Sequence, residues 1–164
     1  MKEGVGRKEE IITLPLEIFF IDYANDFVLF KLPSLIKDFC LPGSIIGNSE
    51  QLKSGRLIFS MPYVSSLRTK RGRIEILSAK KEAPPHSRSD IYFGIKFCEE
   101  VCSGESGSPV FVRINGRYKL IGILQARSVR SAKIGIAMRI NHIISVLKKH
   151  KGIDLTRLKK NSAV

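Results

Sequence analysis

The sequence contains no tryptophan, only three cysteines and only three histidines, and no histidine precedes position 86. Each shortage excludes something. Three cysteines, Cys40, Cys98 and Cys102, cannot build the dense disulfide framework of a small secreted scaffold. No second ligand pair follows Cys98 and Cys102 at zinc-site spacing, so they read as free, partly buried thiols suited weakly to a reducing compartment. No metal and no cofactor is expected. With aromatic residues at 8% overall, base stacking on an aromatic platform is not suggested. The most apolar runs, Ile18–Ile21 and Ile143–Leu147, fall far short of the ~20 residues that cross a bilayer as a helix. The opening MKEGVGRKEE is polar and mixed in charge, unlike a secretory signal. As written the chain reads as cytoplasmic, with any targeting signal lying upstream.

What remains is enough for a core. A hydrophobic fraction of 43% over 164 residues suits one domain or two small sub-domains, not a disordered tail. Apolar residues recur in short bursts between turn signals, which is a strand pattern. The bursts predict strands at Ile11–Phe20, Asp26–Leu32, Gly55–Met61, Gly72–Ala79, Ile91–Phe97, Pro109–Ile114, Tyr118–Gln125 and Lys133–Met138. Asn115-Gly116 is a strong hairpin signal between two of them. From Asn141 the spacing turns helical, with Asn141 read as the N-cap, Ile143, Ile144 and Leu147 on one face, and Gly152 as the stop. Many short strands and one terminal helix predict an all-β barrel or sandwich.

Chemistry concentrates in Ser103-Gly104-Glu105-Ser106-Gly107-Ser108-Pro109-Val110-Phe111, directly before a strand. Glycines on both sides of Ser106 release the backbone into conformations that a Cβ resists. A tight loop of that kind can aim the Gly104 and Ser106 amides at one point, an oxyanion hole beside the Ser106 hydroxyl. The bland alternative is an ordinary Gly/Ser turn.

Gly104-Glu105-Ser106-Gly107-Ser108-Pro109 closely resembles the Gly-Asp-Ser-Gly-Gly-Pro nucleophile loop of chymotrypsin-like (trypsin-like) serine proteases, including the HtrA type. Asp26-Phe27-Val28-Leu29-Phe30-Lys31-Leu32 resembles the strand that opens on the family's triad aspartate. Gly47–Gly55, Gly72-Arg73-Ile74, Leu120-Ile121-Gly122-Ile123 and Gly135-Ile136-Ala137 follow in the family's order, over roughly residues 11–150. The resemblance implies a double β-barrel: a remnant of the first barrel at 1–40, the second barrel at 41–140, and a closing helix with a basic tail at 141–164. It implies Ser106 as nucleophile, Asp26 as triad acid, and Gly104 and Ser106 as the oxyanion hole. By the same resemblance Glu100 lies at the floor of the primary specificity pocket, where a carboxylate favours Lys or Arg side chains. Its alternative is a solvated turn with Glu99. Leu124, Gln125, Ala126 and Arg127 correspond to the edge on which a protein or peptide substrate lies as an added strand. Glu105 stands where the family carries Asp or Asn; in secreted trypsins that Asp pairs with a freshly cut N-terminus, and such activation is not expected here. Ser108 in place of the second Gly is a tolerated departure. With only 14 residues after position 150, the PDZ domain of many HtrA-type enzymes is not expected within this sequence.

A serine hydroxyl needs a general base, and in this family the histidine precedes the aspartate. None does here. His86, His142 and His150 read as solvent-facing polar residues, so the chain as given is expected not to turn over peptides. Two strands of a first barrel would leave unpaired edges, which predicts a chain truncated before the catalytic histidine. The net charge is +13, from 28 Lys+Arg against 15 Asp+Glu. It gathers in Arg68-Thr69-Lys70-Arg71-Gly72-Arg73 and in Lys148–Lys151 with Arg157, Lys159 and Lys160. A rival expectation is therefore a non-catalytic, protease-like module holding nucleic acid or an anionic membrane surface. The plainer reading of the same clusters is a solvated basic surface.

Overall fold

A computed structural model describes residues 16–31, 45–61, 69–75, 86 and 88–157. The chain divides into two compact units, residues 1–41 and 42–164.

In the first unit, β1 (Glu17–Asp22) and β2 (Phe27–Lys31) form a two-stranded antiparallel sheet. Asp22 builds the turn between them. Its carboxylate accepts the Ala24 and Asn25 amides at 3.0 and 3.1 Å, and the Asn25 side chain at 2.8 Å. Asp26 closes the turn in the left-handed region, at φ 52°, one residue before the strand that the sequence reading opened on it. The first strand runs two residues past the expected Phe20; residues 11–15 lie outside the described residues. Ile18, Val28 and Phe30 are exposed, as a lone pair of strands with apolar side chains on both faces must leave them.

The second unit is a closed antiparallel barrel in the order β3-β4-β5-β8-β7-β6. Its strands are β3 (Leu57–Ser60), β4 (Lys70–Glu75), β5 (Tyr92–Phe97), β6 (Pro109–Ile114), β7 (Arg117–Arg127) and β8 (Ile134–Arg139). Asn115-Gly116 makes the β6–β7 hairpin with both residues at positive φ, as expected. Ile58, Ile74, Ile95, Val110, Ile121 and Leu124 meet in one core, with Ile121 and Leu124, of opposite parity, both reaching it from β7, whose pairing shifts register. Gly122 has no room for a side chain: a Cβ there would meet the Met138 carbonyl oxygen at 2.5 Å.

β4 begins two residues before the expected Gly72, and this shift matters. Lys70, Gly72 and Ile74 face inward while Arg71 and Arg73 face solvent. The run read as one basic surface cluster is therefore split, with Lys70 inside. The residues expected to finish that strand, 76–79, lie outside the described residues.

Helix α1 (Ile140–Lys151) follows β8 directly and buries Ile140, Ile143 and Leu147 against β7 and β8. Gly152 ends it at φ 68°, its amide donating to the Lys148 carbonyl, as the sequence predicts. The expected Asn141 cap is corrected: Arg139 occupies the N-cap position without a side-chain bond. Asn141 Oδ1 instead accepts both the Ser49 amide and the Ser49 hydroxyl, each at 2.7 Å. It thereby ties a short 3-10 helix (Ser49–Gln51), which no periodicity announced, to the start of α1. Arg139 adds bonds to the Ser49 and Ser89 carbonyls and lies over the Phe93 ring at 5.5 Å. Burial lowers its guanidinium pKa from the ordinary value. Because Ser49 is fully buried, Asn141→Ala strands its amide and hydroxyl; a loss of about 1–3 kcal/mol is expected in urea denaturation.

Candidate active site

The loop between β5 and β6 carries Ser106, and the backbone is pinned on both sides of it. Before the serine, the Glu105 amide bonds the Cys102 carbonyl at 3.3 Å. The Glu105 carbonyl accepts the Ser108 amide at 3.1 Å and the Ser108 hydroxyl at 2.6 Å. After the serine, the Gly107 amide donates to the Leu124 carbonyl at 2.7 Å, and the Leu124 amide to the Ser108 carbonyl at 2.8 Å. Gly104 and Gly107 sit at φ 86° and 89°, in the left-handed region. A Cβ on Gly107 would touch nothing within 4 Å, so this glycine serves the backbone conformation and not a close approach.

This bonding leaves two donors unspent. Among the described residues, the amides of Glu105, Gly107 and Ser108 are used in backbone bonds, and those of Gly104 and Ser106 are not. The Ser106 side chain is exposed, and its hydroxyl donates to the Gln125 carbonyl at 2.8 Å. Ser106 is thus held against the C-terminal part of β7. Asp26 is exposed and belongs to the other unit.

The β7 edge is used in two ways. Pairing with β6 ends at Ile123, while pairing with β8 continues to Arg127. Leu124 is buried, and both its backbone polar groups are taken by the Ser106 loop. Of the stretch expected to receive substrate, Leu124 is therefore an anchor for the loop, and Gln125–Arg127 is the part beyond the β6 pairing. Glu100 is exposed, and its carbonyl accepts from the Lys70 ammonium at 2.6 Å.

Sequence reasoning missed one group at this site. The Lys70 ammonium lies 2.5 Å from Glu105 Oε1, with Lys70 8% and Glu105 1% exposed. Glu105 Oε2 accepts the Cys102 amide at 3.1 Å. The signal was present: Lys70, Gly72 and Ile74 share one parity, so carrying the strand two residues back would have turned Lys70 inward.

The three histidines stand on elements other than the Ser106 loop. His86 is half-buried rather than solvent-facing, edge-on to Tyr92 with ring centroids 5.1 Å apart. Tyr92 is the first residue of β5. His142 is half-buried in the first turn of α1, and His150 is exposed in its last. Cys98 and Cys102 are exposed free thiols rather than partly buried ones. No cluster of metal-ligating side chains occurs among the described residues.

The closed six-stranded barrel with its C-terminal helix has the fold of HtrA-type proteases of known structure. No protein-family model matches the sequence, and no curated protein does. Solved structures do. The active form of the Rv3671c protease from M. tuberculosis superposes with a TM-score of 0.59 at 18% identity, covering 83% of this chain and 58% of that one. The HtrA-type protease AlgW with a decapeptide gives 0.58 at 18% identity, covering 82% and 39%. An inactive form of Rv3671c gives 0.56 at 19% identity, covering 84% and 69%. This chain thus spans well under two thirds of AlgW and of the active Rv3671c chain.

Proposed function

We propose that this chain is the nucleophile-bearing part of a trypsin-like serine endopeptidase that cleaves peptide bonds through an acyl-enzyme on Ser106. The observation that carries this reading is the loop itself. Its residues 105, 107 and 108 are bonded down, while the Ser106 side chain is exposed and the Gly104 and Ser106 amides are unspent. Substrate adds as a strand along Gln125–Arg127. Ser106 Oγ attacks the scissile carbonyl carbon, and the charge that develops on its oxygen is met by the Gly104 and Ser106 N–H groups. The hydroxyl proton must leave for a base as the bond forms. In the second unit alone it stays on Oγ, donated to the Gln125 carbonyl, which is no base. The base is a histidine from outside these 164 residues, oriented by Asp26, and the isolated chain is inert.

Reaction with a serine-directed phosphonate tests this. The native protein purified from its source should be labelled at Ser106, and the recombinant 164-residue chain should not. Failure of the native protein to label would sink the endopeptidase reading.

A second reading, a non-catalytic module for an anionic partner, draws on the outer face of the barrel. Arg73 lies opposite Leu57 on one side and Lys96 on the other, and Arg71 lies opposite Phe59, with the three cations exposed. Nucleic-acid binding that falls steeply between low and moderate salt, in a protein that phosphonate leaves untouched, would favour it.

A further inference from the structure

We propose that Lys70 is the positioning residue of the nucleophile loop: its buried ammonium clamps Glu105 and the Glu100 carbonyl, and so sets the backbone that presents Ser106. The proposal rests on the reading of Ser106 as nucleophile. An ammonium facing into a barrel is costly to desolvate, and its bonds show where that cost is offset. One goes to Glu105 Oε1 at 2.5 Å, and one to the Glu100 carbonyl at 2.6 Å. The second carboxylate oxygen of Glu105 passes the restraint on to the Cys102 amide at 3.1 Å. A single ion pair therefore ties residues 100, 102 and 105 to the first residue of β4.

These contacts all fall on the loop. The apolar core formed by Ile58, Ile74, Ile95, Val110 and Ile121 closes without the pair. Glu105 immediately precedes Ser106. The peptide group joining them contains both the carbonyl held by Ser108 and the Ser106 amide read as an oxyanion donor. Rotating that peptide to relieve an unpaired Glu105 would swing the amide away. Because the cation is a side chain inside the chain and not a terminal amine, the loop is set when the barrel folds, with no cleavage step.

Hydrogen exchange read by mass spectrometry tests the clamp without any need for catalysis. In Lys70→Met, peptides spanning residues 98–108 should exchange roughly a hundredfold faster and stay clearly less protected than peptides from β5 and β8, whose exchange rises only with the global loss of stability. Lys70→Arg, which keeps a cation, should recover at least part of the protection. In the native protein, phosphonate labelling of Ser106 should slow in Lys70→Met and recover in step with the loop in Lys70→Arg. Loop exchange within twofold of the parent, or a loop that opens only together with β5 and β8 at one common rate, would overturn the proposal. Should Lys70→Met not fold, Glu105→Gln is read in the same way: selective loosening of 98–108 supports the clamp, and an unchanged loop refutes it. A parent protein that never labels removes the endopeptidase reading, while the exchange experiment still decides whether Lys70 orders the loop.

Discussion

Residues 1–164 alone are expected to hydrolyse a peptide substrate about a million-fold more slowly than the native protein that supplies the base. That is the size of loss seen when the nucleophile or the histidine of a serine-protease triad is removed singly. Ser106→Ala in the native protein should fall to the same floor, because the triad acts as one unit and losing either member loses its whole contribution. The two defects should therefore not multiply. A steady-state assay on the native protein, its Ser106→Ala variant and the isolated chain checks this directly. At about 1.4 kcal/mol per tenfold, the predicted gap is roughly 8 kcal/mol of transition-state stabilisation. Activity of the isolated chain within a hundredfold of the native protein would mean that a group within these residues serves as base. His86 packs edge-on against Tyr92, and replacing it with alanine in the isolated chain would then identify or exclude it as that group.

Breaking the buried pair from one side should be the largest stability defect in the barrel. Lys70→Met leaves Glu105, at 1% exposure, without its nearest cation, and Glu105→Leu leaves Lys70 facing inward unpaired. Each single variant is expected to lose about 3–5 kcal/mol, which is about 10–20 °C in Tm for a domain of this size. The double variant should regain most of that loss, because two apolar side chains of similar volume owe no desolvation cost. Urea denaturation of the four proteins gives the coupling energy, expected to exceed 2 kcal/mol. The double variant also separates stability from positioning. It should be stable, yet its loop lacks the tether through residues 100, 102 and 105. In the native protein it should stay slow toward the phosphonate. A double variant as unstable as the sum of the singles would show that the two groups act independently.

Much of this was legible in the sequence. Local patterns suffice wherever a choice depends on neighbours a few residues away. The Pro109–Ile114 strand, the Asn115-Gly116 turn and the Gly152 stop depend on alternation and on φ preferences that act locally, and each lies where expected. Gly104-Glu105-Ser106-Gly107 is legible for the same reason, since the left-handed glycines are a property of the loop itself. Asn141 misled because Asn before an apolar helical face is a common cap, whereas its side chain is claimed by Ser49, 92 residues away in sequence. Leu124 looked like part of a substrate edge until the loop took its backbone groups.

Lys70 marks the boundary most clearly. Composition and spacing determined that this is a basic, strand-rich chain with a serine loop and no histidine ahead of Asp26. They could not tell a solvated lysine from a buried one, because that turns on which face of β4 looks inward and on what stands across the barrel. Parity along a strand is local, but the carboxylate that makes a buried ammonium tolerable lies 35 residues further on, and only barrel closure brings it to 2.5 Å. Burying a charge is decided by its partner, and the partner is chosen by tertiary structure.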